Sequence, residues 1–312
     1  MRFFRPIGEW FAGLKTWQKV ALAIGTWIAL TIALLLFIPS AGRNSEYQPQ
    51  NEFKLDPWVP IHLGGLDLSI NKAVLYLFLT ALATCGVMIW IARKMQQRPN
   101  NVQTAVEALY DLANNNITRG NLSASYSARW FPFIGTLFFF IWFANLIGYI
   151  PLPTNSEESV VIFGLTVPSF ALYAATANIS VPLILTLVVW FSYHIEGIRA
   201  HGVKGYFAGF VPSGTPKLLK PLLFGIEVIS HFVRIISLSV RLFANLLAGH
   251  LLILFMGGGM VALLGLAAVG VLTLPVAIVF FIFEVVLIAT LQAFIFATLT
   301  AIYLGGAVEG GH

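Results

Sequence analysis

Apolar and polar positions along this chain separate into long blocks, not into the short alternations of a soluble fold. Val20 to Ile38 is an apolar run of about 19 residues that ends at Pro39, long enough to cross a hydrocarbon layer of about 30 Å as a helix. Further runs extend from about Ala73 to Ala92, from Trp130 to Ile150 and from about Pro168 to Tyr193. The last two blocks are longer. Pro221 to Met256 would span about 54 Å as one helix, and Met260 to Leu304 more, with Pro275 as a kink point. Helices of that length must tilt steeply, leave the membrane or bend. Gly257-Gly258-Gly259 between them predicts a tight turn and a steeply tilted antiparallel pair.

The segments between these runs have their own patterns. Arg43 to Asn71 carries Pro49, Pro57, Pro60 and the acids Glu46, Glu52, Asp56 and Asp67, and reads as an extramembrane loop that partly covers its neighbours. Pro99 to Ser127 has helical periodicity of mixed polarity, which suits a helix on the membrane surface. His194 to Lys220, rich in Gly, Pro and basic residues, reads as a loop, with His194, His201 and the terminal His312 solvated. With the amino terminus inside, the basic clusters 2–19, 93–129 and 199–220 all fall on the cytoplasmic side, as the positive-inside rule requires. The expected divisions are 1–42 (basic segment and first helix), 43–72 (extracytoplasmic loop), 73–306 (membrane domain) and 307–312 (cytoplasmic tail). For the first run, a retained helix is favoured over a cleaved leader, because the apolar run exceeds a usual signal core of about 7 to 15 residues.

Composition narrows the class further. Of 312 residues, 58% are apolar and only 10% charged, with mean hydropathy +0.84. This indicates an all-α polytopic membrane protein of about six membrane helices. The net charge of +5 follows from basic residues at the ends of apolar runs, so topology explains it without nucleic acid. One cysteine, Cys85, lies inside a run and excludes an intramolecular disulfide. No G-x-x-x-x-G-K-[ST] sequence occurs, so no nucleotide site is expected.

Against this background, Ile226 to His250 stands out, because an otherwise lipid-soluble stretch carries Glu227, His231, Arg234, Arg241 and His250. An arginine at mid-bilayer costs about 2.5 to 3.5 kcal/mol on insertion scales, which marks a pathway or a partner. Glu227, Arg234 and Arg241 recur every seven residues, and Ser230, Ser237, Ala244, Asn245 and Ala248 fall near the same line, giving one polar, small-residue face. The second long run repeats the theme with Glu284 and Gln292 near one face. Pairing about the glycines alone does not bring Glu284 to His250. A tilted or locally distorted second arm would, and the pair would then serve as a proton relay. A self-contained proton or sodium antiporter is the rival class, although such proteins often show inverted repeats and no matching halves appear here.

Three segments carry a family resemblance: N-L-I-G-Y-I-P (Asn145 to Pro151), R-L-F-A-N-L-L-A-G-H (Arg241 to His250) and E-V-V-L-I-A-T-L-Q-A-F-I-F (Glu284 to Phe296). In this order they resemble subunit a of the rotary F-type ATP synthase. The resemblance implies two long, nearly horizontal helices against a rotating ring of c subunits, in the energy-transducing plasma membrane of a bacterium. It also implies peripheral-stalk b subunits, a catalytic head that holds the nucleotides, and no cofactor or metal. Arg241 matches the family's essential stator arginine, Asn245 its polar neighbour and Gln292 the glutamine facing it. His250, Glu284 and Asn145 match the outer half-channel; Glu227, Ser230 and His231 match the inner one. Three departures are visible. The His250 and Glu284 pair is exchanged relative to many bacterial members, Glu284 lies one residue further from Gln292 than is usual, and Gly148 stands where some members have an aspartate.

Overall fold

The computed structural model describes residues 15–37, 48–63, 66–155, 159–162, 165–212, 214–260 and 267–309. Five described helical runs are long and apolar enough to cross a membrane. The chain divides into two compact units, Met1–Gln50 with Leu251–Ile282, and Asn51–His250 with Phe283–His312.

In the first unit, α1 (Thr16–Phe37) has 22 residues and covers the first apolar run. The Trp27 indole donates to the Val271 carbonyl at 2.6 Å, satisfying a polar atom that an apolar surrounding would leave costly. Val271 belongs to α7 (Ala267–Phe283), which contains Pro275.

The second unit begins with a short 3-10 turn and a two-residue hairpin, β1 (His62–Leu63) with β2 (Leu66–Asp67). The loop covers its neighbours as expected: Phe53 and Leu55 pack against Ala73, Tyr76, Tyr173 and Ala175. Asn71 starts α2 (Lys72–Lys94) by accepting from the Val74 N–H, and Arg93 and Lys94 close its last turn, where positive charge complements the helix dipole. After it, α3 (Asn101–Asp111) is capped by Asn100 and continues through a π turn, Leu112–Thr118, to Asn121, in agreement with the helical periodicity read there.

The central pair is α4 (Ala124–Ile147) and α8 (Ala289–Glu309). Ala289, Ala293, Ala297, Ala301 and Gly305 are buried at every fourth position of α8, so small residues let neighbouring backbones come close. The Asn121 carbonyl oxygen lies 2.6 Å from where a Cβ of Gly305 would sit.

Three boundaries differ from the sequence reading. The fourth span, α5 (Ser180–Ala208), begins twelve residues after Pro168. Before it come a hairpin, β3 (Ser159–Ile162) with β4 (Leu165–Pro168), and a buried irregular stretch from Tyr173 to Ala177. Hydropathy does not separate buried irregular chain from helix. The expected loop after His194 is instead helical to Ala208, broken at Gly202, whose φ of 71° is a conformation suited to glycine. Gly257 to Gly259 are not a turn either: α6 (Lys220–Leu254) runs on into a π turn, Phe255–Gly259. The reversal expected at those glycines does not occur there, and 261–266 lie outside the described residues.

Candidate functional site

Two contacts in the second unit fix the pairing of the long arms. Gly249 of α6 packs against Glu284, and the Arg234 guanidinium lies 5.0 Å over the Tyr303 ring of α8. As one arm runs forward the other runs back, so the arms are antiparallel. The helix that carries these groups buries Leu238, Leu242 and Leu246 and exposes Ile229, Phe232, Val233, Ile236 and Val240.

Arg241 itself is exposed. So are Ser237, Ala244, Asn245 and Ala248, which form a shallow strip along one side of the helix. The guanidinium reaches Ser237 Oγ at 3.5 Å, and among the described residues no carboxylate pairs with it. A purely structural pairing of Arg241 with Glu284 is therefore not found. Gln292 is 4% exposed, within α8.

Beyond the arginine lies a first buried cluster. His250 is fully buried, with Nδ1 2.9 Å from the Leu246 carbonyl and Nε2 3.1 Å from that of Gly148. The Tyr149 ring stacks on the imidazole at 4.5 Å, and the Tyr149 hydroxyl donates to Glu284 Oε2 at 3.0 Å. His250 and Glu284 are thus joined through Tyr149 and not by a hydrogen bond to each other. Tyr149 is itself buried, and its hydroxyl is the donor of this pair. A Cβ on Gly148 would clash with Ala174, so the structure has no room there for the aspartate of some members. Asn145 completes the cluster: it is fully buried, donates to the Ala289 carbonyl at 3.3 Å and accepts from Thr176 Oγ1 at 2.9 Å.

Glu284 opens a π turn, Glu284–Ile288. A π turn takes one residue more than an α turn, so the segment that leads from Glu284 toward Gln292 is one residue longer than a regular helix would need.

On the other side of Arg241, a second cluster lines a cavity of about 1040 Å³. Glu227 Oε1 lies 3.5 Å from Arg234 Nη2 and 3.6 Å from His231 Nε2. Arg234 therefore neutralises Glu227. Ser230 is half-buried on the same helix. His231 is buried, with Nδ1 2.9 Å from the Tyr193 hydroxyl. His194, read as solvated in a loop, is instead packed against Trp190, Tyr193, Tyr206 and His231. Its neighbour Glu196, 3% exposed, accepts from Arg129 at 3.2 Å and Arg199 at 2.7 Å.

Sequence reasoning missed Tyr149, Gly249, His194, Tyr206 and Glu196. His194 and Glu196 had a signal, ionisable residues within a helical period of the expected span end at Tyr193; the others depend on tertiary packing. Among the described residues no group of three or more His, Cys, Asp or Glu side chains is placed to hold a metal ion.

The family described as ATP synthase A chain matches residues 74–305. ATP synthase subunit a of Parvibaculum lavamentivorans is 36% identical over 269 residues, 85% of this chain and 94% of that protein. The Methylobacterium sp. 4-46 protein of the same name is 37% identical over 268 residues, 85% and 98%. That of Beijerinckia indica is 34% identical over 272 residues, 86% and 98%. With its apolar helical runs, the chain is a multi-pass integral membrane protein and belongs to the ATP synthase subunit a family.

Proposed function

We propose that this subunit conducts protons past a rotating c-ring through two offset half-channels sealed from one another by Arg241. The observation that carries the reading is the position of the arginine: exposed on a small-residue strip, and flanked by two separate clusters of ionisable groups, one buried and one lining a cavity. Along α6, Glu227 lies about 21 Å to one side of Arg241 and His250 about 14 Å to the other.

A ring carboxylate that faces lipid stays protonated, because ionising it there is costly. Beside a guanidinium whose charge is not removable, the carboxylate gives up its proton. The proton leaves by one cluster, and the next arrives by the other after almost a full turn of the ring. Asn245 and Gln292 flank the arginine; Asn145, His250 and Glu284 with Tyr149 form the outer path; Glu227, Ser230 and His231 form the inner one. Each proton contributes about 2.3 kcal/mol per 100 mV, so several are needed per ATP. The ATP chemistry lies in the catalytic head, which b subunits hold against this subunit. With the amino terminus in the cytoplasm, the protein sits in the bacterial plasma membrane, its last two arms steeply tilted along the ring and α1 a retained sixth span.

The test is proton flux in vesicles that hold the whole complex. Arg241→Ala should abolish ATP-driven acidification and raise the passive leak. Unchanged pumping would sink the barrier role.

A further inference from the structure

Twelve residues separate His194 from Tyr206, about 18 Å along an unbroken helix, yet the Tyr206 hydroxyl lies 2.6 Å from His194 Nδ1. Two glycines make this approach possible. Gly202 adopts φ 71°, which breaks the helix and turns Tyr206 back. Gly197 leaves space for the Tyr206 ring, which a Cβ at that position would enter.

The imidazole held in this way faces a second one. The His194 and His231 ring centroids are 4.8 Å apart, and Trp190 braces both, stacking edge-on against His194 at 4.1 Å and donating from its indole to the His231 carbonyl at 3.2 Å. Each histidine has one nitrogen committed to a tyrosine hydroxyl, His194 to Tyr206 and His231 to Tyr193. Tyr193, Tyr206 and His231 line the cavity; His194 stands one step behind them. The other titratable or charged groups around the pair are Glu227 and Arg234 on α6 and Tyr303 on α8, with His201 and Lys220 on the cavity wall.

We infer that His194 and His231 form one proton-holding unit of the inner half-channel, in which His194 exchanges protons with the cavity through the Tyr206 hydroxyl. The inference rests on the reading of Glu227 and Arg241 given above. The Tyr206 hydroxyl passes its hydrogen to His194 Nδ1 as it takes one from cavity water, and the reverse step empties the site; only N–H and O–H bonds form and break. Two imidazolium ions this close, beside Arg234, repel each other, so the pair holds one proton at a time and its members titrate as a unit. Whichever imidazole holds the proton releases it by its own route, His194 back through the Tyr206 hydroxyl to cavity water and His231 from Nε2 toward Glu227, 3.6 Å away.

The test is a double-mutant cycle on ATP-driven proton pumping by the intact complex in vesicles, followed across the pH of the cytoplasmic face. His194→Gln and His231→Gln are each expected to slow pumping about tenfold, below the range of a full general acid–base contribution. A single unit predicts that the double mutant is no slower than the worse single, because coupled residues are non-additive. Losses that multiply would overturn the inference. Tyr206→Phe keeps the ring against Gly197 and removes only the hydroxyl, so it decides the matter if a histidine variant fails to assemble. It should slow pumping severalfold and displace the pH profile, and an unmoved profile would overturn the relay. Arg241→Ala, run in parallel, separates the two readings: coupled pumping retained there removes the half-channel reading itself, whereas pumping lost there with an additive cycle removes only the histidine unit.

Discussion

The Glu284 carboxyl group lies where a side chain on residue 249 would have to be: a Cβ added to Gly249 meets Glu284 Cδ and both carboxylate oxygens. The acid of one arm is seated in a notch in the other. Gly249→Ala should push Glu284 off the Tyr149 hydroxyl, at a strain of about 1 to 3 kcal/mol, and cut coupled ATP synthesis about tenfold. Adding Glu284→Asp, which shortens the acid, should recover part of the loss. Synthesis rates of the single and double variants in reconstituted vesicles check both statements.

Tyr149 gives Glu284 its hydroxyl donor and His250 a stacking partner. Tyr149→Phe keeps the ring and deletes the donor. A carboxylate that loses a donor holds its proton more readily, so the dependence of ATP synthesis on the pH of the outer compartment should move to higher pH, with assembly intact. Tyr149→Leu removes the ring as well and should lose more activity. Equal behaviour of the two variants would leave no role for the stacking.

The long helices and the charged positions on them were legible in the sequence, because a polar group among apolar neighbours is visible without a structure. Arg241, Glu227, His250 and Glu284 are of this kind. The pairing of His250 with Glu284 was not fixed, since the glycines that promised a turn are helical and a π turn begins at Glu284. His194 was misread because the chain after it looked like loop. Only the break at Gly202 brings Tyr206 to it, and one positive-φ glycine among several glycines carries no mark in the sequence.

Glu196 is buried between two arginines that are themselves more than half exposed. Removing the carboxylate leaves Arg129 and Arg199 repelling each other, whereas removing one arginine leaves the acid with the other. Glu196→Ala should therefore lower the melting temperature of the detergent-solubilised complex more than Arg129→Ala or Arg199→Ala. Exposed guanidiniums keep each loss near 1 kcal/mol. Raised salt should narrow the gap, and a thermal-shift series with and without salt measures it.

In the first unit, the Trp27 indole bond to the Val271 carbonyl ties α1 to α7. Trp27→Phe keeps most of the apolar bulk and loses that donor, a change of about 1 kcal/mol. Deleting residues 1–41 removes the whole partner and should reduce the yield of assembled complex, read by subunit stoichiometry after purification. Full assembly of the truncated protein would show α1 to be dispensable.

The π turn at Glu284–Ile288 also bears on how the second arm tolerates change in length. Losing one residue inside it, Val286 for instance, returns a π turn to an α turn and leaves the helices on either side in phase. Losing one residue further along, such as Leu299, turns everything beyond it by about 100° and rotates Thr300, Ala301 and Leu304 out of the buried seam. The same one-residue deletion is thus close to silent at one site and disruptive thirteen residues later. Insertions and deletions in this arm can accumulate only where the helix is already loosened, so length variation among its descendants should concentrate beside Glu284.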